Sequence, residues 1–212
     1  FDFDGTLVDS APDLAGAVND MRVEDGMPAL PLESLRPYAT YGARSLLKAG
    51  LGLTPDDPDY DAQRKRFLAI YDRRKLDHTH LFDGVLELLI ALERRGLIWG
   101  IVTNKASRFT CPTIAAFNVL QHAKTVICGD TTPHIKPHPA PLLAAMVEAR
   151  FVPEHTVYVG DDVRDIQAGR AAGVRTVAAV YGYLGSEADP QRWGADAVVY
   201  SPLELLKLFD TA

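Results

Sequence analysis

FDFDGTLVDS, residues 1–10, sets Asp2 and Asp4 one residue apart, alternating with Phe1 and Phe3, and follows them with Gly5, Thr6 and a third aspartate, Asp9. Alternation of apolar and polar residues is the period of a strand. The Gly-Thr pair marks a turn, so the stretch reads as the end of an apolar strand entering a loop. Carboxylates this close repel each other. Two of them at one strand tip call for a neutralising partner. The chain opens at Phe1 without Met, so the strand is expected to begin before this numbering.

Downstream, apolar runs recur. LIWGIVT (97–103), TVICG (125–129), TVYVG (156–160), VRTVAAV (174–180) and the shorter ADAVVY (195–200) read as strands. Helical patterns lie between them, over Phe82–Arg95, Arg108–Phe117, Pro139–Ala149, Asp165–Ala172 and Leu203–Phe209. Continuous apolar strands separated by helices imply a parallel sheet covered on both faces. The expected fold class is α/β, a doubly wound Rossmann-like parallel sheet of about five strands.

Residues 11–80 break this rhythm. They show four helical stretches, Pro12–Glu24, Leu32–Ala39, Ala43–Gly50 and Tyr60–Arg74, punctuated by Gly and Pro. The basic runs QRKRF and YDRRK read as solvated helix faces. The segment follows the first strand and its loop directly, so it reads as an all-helical insertion. The expected domains are a core of residues 1–11 plus 81–212 and a helical cap of residues 12–80.

Composition narrows the possibilities. The 212 residues are 47% hydrophobic and carry a net charge of -6. A nucleic-acid partner would bring a basic face, so none is expected. No run of about 18 apolar residues predicts a membrane span, and no secretory segment is evident. Two cysteines, Cys111 and Cys128, form no metal spacing and read as buried thiols of a cytoplasmic protein.

In a parallel α/β sheet, chemistry gathers at the carboxyl ends of strands. After the first strand come Asp2, Asp4, Gly5 and Thr6. After LIWGIV come Thr103, Asn104 and Lys105. After TVICG come Asp130 and then Lys136 in HIKPHP, and after TVYVG come Asp161, Asp162 and Asp165. Any one aspartate here could be a helix N-cap. Together at strand ends the carboxylates need a cation. Hard oxygen ligands without Cys or His suit Mg²⁺.

The set DFDGT, VTN, IKP and GDDVRD, in this order and spacing, resembles the four motifs of the haloacid dehalogenase superfamily of aspartyl-phosphate phosphohydrolases. The helical segment falls where that superfamily places its C1-type cap. The resemblance implies a phosphatase in which Asp2 is the nucleophile, forming a phosphoaspartate, and Asp4 is general acid and then base. Thr103 and Lys136 complete the catalytic set. Gly5, Thr6 and Asn104 would line the phosphate site. Asp2, Asp161 and the main-chain carbonyl of Asp4 would hold Mg²⁺ directly, and Asp165 would hold metal-bound water. Strands one and four must then be neighbours.

The same resemblance argues against dehalogenases, which lack the second carboxylate. It also argues against phosphosugar mutases, which commonly carry Val where this chain has Thr6. LVDSAPDLAGAVN is similar to phosphoglycolate phosphatases. Their cap loop would correspond to RPYATYGARSLL (36–47), in which Gly42 is kept and Arg44 suits a substrate carboxylate. CGDTTPHIKPHPAPLL and YGYLGSEADPQRWGADAVV are similar to N-acetylmuramic acid 6-phosphate phosphatases. The reading is a phosphoglycolate phosphatase-like enzyme acting on a small phosphorylated metabolite, as a monomer or homodimer. The alternatives are the muramic acid phosphatase, a mutase, or a non-catalytic regulatory or binding protein on the same fold. Hinges are expected at Ser10–Asp13 and His80–Gly84. Asp9 would bond the hinge or cap the following helix, and loop 181–189 could border the cleft.

Overall fold

The computed structural model describes residues 1–185 and 189–209. In chain order the elements are β1 (Val8–Asp9), α1 (Ala11–Glu24), α2 (Leu32–Leu35), α3 (Ala43–Leu51), α4 (Tyr60–Arg74), β2 (His80–Leu81), α5 (Val85–Arg94), β3 (Ile101–Val102), α6 (Ser107–Ala116), β4 (Val126–Ile127), α7 (Ala140–Ala149), β5 (Val157–Gly160), α8 (Val163–Ala171), β6 (Arg175–Ala179), β7 (Ala197–Val199) and α9 (Leu205–Phe209). The chain forms two compact units. One is Phe1–Val8 with Leu81–Gly182 and Asp189 onward; the other is Asp9–His80 with the segment from Tyr183.

The first unit is built on a parallel sheet. β3 pairs with β4, and β5, β6 and β7 pair in that order, all parallel. The opening segment joins the two groups. The Phe1 N–H donates to the Gly100 carbonyl at 3.0 Å and the Phe1 carbonyl accepts from Val102 at 2.9 Å, the alternating pattern of a parallel ladder. On the other side the Asp2 N–H donates to the Val159 carbonyl at 2.8 Å. The strand order is therefore β4, β3, opening segment, β5, β6, β7. The first strand does lie beside the fourth apolar run, and the ladder has six members where about five were expected.

Period 2 then sorts the side chains. Phe3, Ile101, Val159 and Val177 face one layer with Leu88, Leu89 and Leu205 from α5 and α9. Val102, Ile127 and Tyr158 face the other, with Leu142, Met146 and Ala168 from α7 and α8. Trp99 is buried in the first layer, and Trp193 is half-buried. Cys128 is buried but Cys111 is exposed, which corrects the expectation of two buried thiols.

The second unit is helical. α1 packs on α3 and α4 through Val18, Met21, Leu46, Leu47, Phe67 and Tyr71, all but inaccessible to solvent. Gly50 allows the approach of α3: a Cβ there would lie 2.1 Å from Val18 Cγ1. The 32–39 stretch forms one turn of α-helix and then a 3-10 helix over Arg36–Tyr41. The basic runs on α4 are not merely solvated. Arg66 pairs with Glu24 and Asp25 and Arg74 with Asp20, all on or just after α1, because the acidic face of α1 is turned toward α4.

Two buried carboxylates organise the ends of this unit. Asp9 is paired by both terminal nitrogens of Arg36 and accepts from the Tyr183 hydroxyl at 3.1 Å. It also accepts from the Ala11 N–H at 3.2 Å, so it both bonds the neighbouring segments and tethers the start of α1. Asp13, fully buried, accepts from the His78 and Thr79 N–H groups and from the Thr79 hydroxyl. It forms no ion pair among the described residues. Of loop 181–189, residues 186–188 lie outside the described residues.

Candidate active site

DGTL folds back on itself immediately after the opening segment. The Phe3 carbonyl accepts from Leu7 and Val8, both at 2.9 Å, and the Gly5 N–H donates to the Val8 carbonyl. Gly5 sits at φ +88°, and a Cβ there would lie 2.2 Å from Asp161 Oδ2, so only glycine serves. The turn thus brings residues of the first and fourth apolar runs together.

Alternation puts Phe1 and Phe3 into the apolar layer and Asp2 on the opposite side, where Lys136 arrives. Lys136 is buried, and its Nζ lies 2.8 Å from Asp2 Oδ1, 2.7 Å from Asp165 Oδ1 and 2.8 Å from the Tyr158 hydroxyl. Asp2 Oδ1 also accepts from the Phe3 N–H at 2.7 Å. Among the described residues nothing bonds Asp2 Oδ2. Lys136 enters from a loop rather than a strand. Asn104 brackets that loop: its side-chain N–H donates to the Lys136 carbonyl and its oxygen accepts from the Lys136 N–H, both at 2.9 Å. The Asn104 amide is therefore engaged with the backbone of Lys136.

The remaining predicted residues of this unit take these places. Thr103 is buried at the end of β3, and its hydroxyl oxygen accepts from the Lys105 N–H at 3.1 Å. Thr6, also buried, donates its hydroxyl to Asp161 Oδ1 at 3.0 Å. Asp162 and Asp165 form a capping box at the start of α8. Arg164 pairs with Asp162. Asp4 faces a cation rather than another carboxylate, since Lys105 Nζ lies 2.8 Å from its Oδ1. In the other unit, Gly42 begins α3 at φ 61°, ψ -143°, a conformation almost confined to glycine. Arg44, in the first turn of α3, is exposed.

Oxygen atoms of Asp2, Asp161 and Asp165 lie within 4.8 Å of one another. Asp4 is not in this group. Asp161 and Asp165 are buried, and two like charges in a buried space are unfavourable unless offset. Burial, and then the Asp2 carboxylate, push the Asp165 carboxyl up to about 7, while Lys136 pulls it the other way. Burial opposes charge on Lys136, but Asp165 and Asp2 outweigh it and its pKa is raised. One ammonium against three carboxylates leaves excess negative charge. The all-oxygen donor set, the spacing and that excess fit a hard divalent cation such as Mg²⁺.

Lys105 was expected at the end of its strand run, but not its pairing with Asp4. Tyr158 was not foreseen, and a phenol in an otherwise apolar run was its only signal. Gly182 lies in loop 181–189, expected to border the cleft, but nothing marked that glycine itself. A Cβ there would meet the Gly5 carbonyl and Asp161 Cβ, each at 2.3 Å. His134 and His138 stack on each other in an exposed loop. Burial pushes the Cys128 thiol up to about 11, which removes it as a nucleophile.

A model of haloacid dehalogenase-like hydrolases matches residues 1–179. The chain belongs to that family. It is 39% identical over 212 residues to the N-acetylmuramic acid 6-phosphate phosphatase of Pseudomonas aeruginosa, covering all of this chain and 94% of the relative. It is 42% identical over 205 residues to the phosphoglycolate phosphatase of Xanthomonas campestris, covering 97% and 92%. A crystal structure of a predicted phosphoglycolate phosphatase from Haemophilus somnus superposes with a TM-score of 0.85 at 28% identity, covering 99% of this chain and 96% of that one. The chain is thus a phosphatase of the haloacid dehalogenase type. Among the described residues, no helix is long and apolar enough to cross a membrane.

Proposed function

We propose that this phosphatase hydrolyses small phosphomonoesters through a phosphoaspartate on Asp2. The observation that carries the reading is the asymmetric setting of that carboxylate. Its Oδ1 is held by Lys136 and the Phe3 N–H, while Oδ2 has no partner among the described residues. An oxygen held on one side and open on the other is an oriented nucleophile.

Asp2 Oδ2 attacks phosphorus and the P–O bond to the alcohol breaks. Asp4, in its acid form, gives its proton to the departing oxygen. Asp4 then takes a proton from water as the water oxygen attacks the same phosphorus, which releases inorganic phosphate and regenerates the Asp2 carboxylate. Lys136 opposes the charge gathered on Asp2 and on the phosphoryl oxygens. The Thr103 hydroxyl and nearby backbone N–H groups receive the phosphoryl group, and Gly5 keeps the turn close. Asp2, Asp161 and Asp165, with the Asp4 carbonyl, would hold Mg²⁺. When bound it would supply charge neutralisation between the carboxylates and the substrate phosphate. The helical unit, residues 12–80 as read from sequence, serves as a cap that excludes water and selects the substrate.

Both relatives' names denote phosphomonoesters that also bear a carboxylate, and the exposed Arg44 guanidinium suits such a group. 2-Phosphoglycolate and N-acetylmuramic acid 6-phosphate are therefore the two substrates to compare. The direct test is phosphate release with Mg²⁺ from an aryl phosphate and from these two compounds, in the wild type and in Asp2→Asn. Loss of turnover in a folded Asp2→Asn protein is expected. Persistent turnover would exclude the phosphoaspartate route.

A further inference from the structure

We infer that Tyr158 is the positioning residue for Lys136, and through it for the Asp2 nucleophile. The inference rests on the phosphoaspartate reading above.

Tyr158 belongs to β5, whose residues Val157 and Val159 face the apolar layer of α5 and α9. Its ring points the other way, among Val102, Leu142, Met146 and Ala168, and is nearly inaccessible. A phenol at this place buries a polar oxygen that needs partners. It has two. The hydroxyl donates to the Val102 carbonyl at 2.7 Å and accepts from Lys136 Nζ at 2.8 Å. A phenol carries a single proton. With that proton directed to Val102, it turns a lone pair to the ammonium.

Lys136 has three N–H donors. Asp2, Asp165 and Tyr158 take one each. The Val102 carbonyl also accepts from Nζ, at the longer distance of 3.1 Å, and shares that oxygen with the Tyr158 hydroxyl. Without the hydroxyl, the third N–H has only Val102 to turn to. That swing draws Nζ toward β3 and off the line to Asp2 Oδ1. Because Oδ1 is the anchored oxygen of Asp2, its displacement re-aims Oδ2. The effect falls on the approach of the nucleophile, not on substrate capture. Misplacement on this scale costs about tenfold to a hundredfold in rate.

Two readouts test this in the full chain. The first needs no activity. With ¹⁵N-lysine labelling, the buried Lys136 ammonium gives its own correlation, assigned by its loss in Lys136→Met. Tyr158→Phe is expected to shift that correlation and speed its hydrogen exchange. The second is kinetic. Tyr158→Phe should lower kcat on an aryl phosphate about tenfold or more, with KM within about twofold. An unchanged ammonium signal, or wild-type kcat in folded Tyr158→Phe, overturns the inference. So does a loss of thermal stability alone. If Tyr158→Phe does not fold, 3,5-difluorotyrosine at position 158 keeps the ring and weakens the acceptor. A fall in kcat without KM then supports the role, and wild-type kcat overturns it. If the wild type itself turns over no phosphomonoester, the phosphatase reading fails and the ammonium spectrum still decides the anchoring of Lys136.

Discussion

Asp13 is a buried carboxyl group with no cation beside it among the described residues, and its removal should unfasten one end of the helical unit. The carboxylate is fully buried and accepts from the His78 N–H at 3.0 Å, the Thr79 N–H at 2.9 Å and the Thr79 hydroxyl at 2.7 Å. Hydrogen bonds to a charged acceptor contribute about 1.5–3 kcal/mol each, and a buried donor left without a partner costs about 1–3 kcal/mol. Asp13→Ala leaves three donors facing a small void. Water entering that void would recover part of the loss, so the net cost should be about 3–5 kcal/mol. Asp13→Asn keeps one acceptor oxygen but turns an amide N–H₂ toward backbone donors, and should cost about 2–3 kcal/mol. For a chain of this length the Ala variant should lose roughly 6–20 °C in Tm, at about 2–4 °C per kcal/mol. Thr79→Val removes the hydroxyl donor alone. In the Asp13→Ala background it should cost almost nothing further, giving a coupling of about 1–2 kcal/mol in a double-mutant cycle. Urea unfolding followed by circular dichroism would measure all five proteins, the wild type included. An Asp13→Ala protein within about 1 kcal/mol of the wild type, or an uncoupled pair, would refute the account.

Gly182→Ala should injure the acidic cluster while leaving the sheet intact. The new methyl would meet the Gly5 carbonyl and Asp161 Cβ, each at 2.3 Å, so Asp161 or the Gly5 turn must move. Mg²⁺ affinity should fall about tenfold or more, read by titration calorimetry; affinity within about twofold of wild type would show that the turn absorbs the methyl. Divalent binding should also depend on pH. The Asp165 carboxyl is raised to about 7, so in the folded protein it holds its proton below that pH and is ionised above it. A metal needs the carboxylate, so affinity should be full above about pH 7 and weaken by up to about tenfold per unit below it. At pH 6, binding should release close to one proton, measurable as a dependence of the calorimetric heat on the buffer's ionisation enthalpy. Equal heats in buffers of different ionisation enthalpy would contradict the raised carboxyl.

The sequence by itself determined the order of the chemistry. Strand-end residues are readable because a covered parallel sheet leaves its carboxyl edge as the place where polar groups can gather. Asp2, Asp4, Thr103 and Asp161 could therefore be picked out as candidates from the apolar runs and the polar residues at their ends, with Lys136 and Asp165 a few residues further on. The helical insertion was legible for a related reason: residues 12–74 repeat at helical spacing and lack the β-branched runs around them.

What the tertiary structure alone decided is which partner each of these side chains takes. Asn104 holds the backbone of Lys136 because β3 and the 136 loop converge from positions 32 residues apart, and Lys105 meets Asp4 across 101 residues because β3 pairs with the opening segment. No local pattern encodes that convergence. The opening segment is a middle member of the sheet, since its pairing depends on β3 and β5 and not on its own propensity. Tyr183 joins Asp9 and the start of α1 from 174 residues away. Gly182 matters through the space it leaves empty beside Asp161. Periodicity reports which face of an element is buried; it carries no information on which distant residue will be packed against that face.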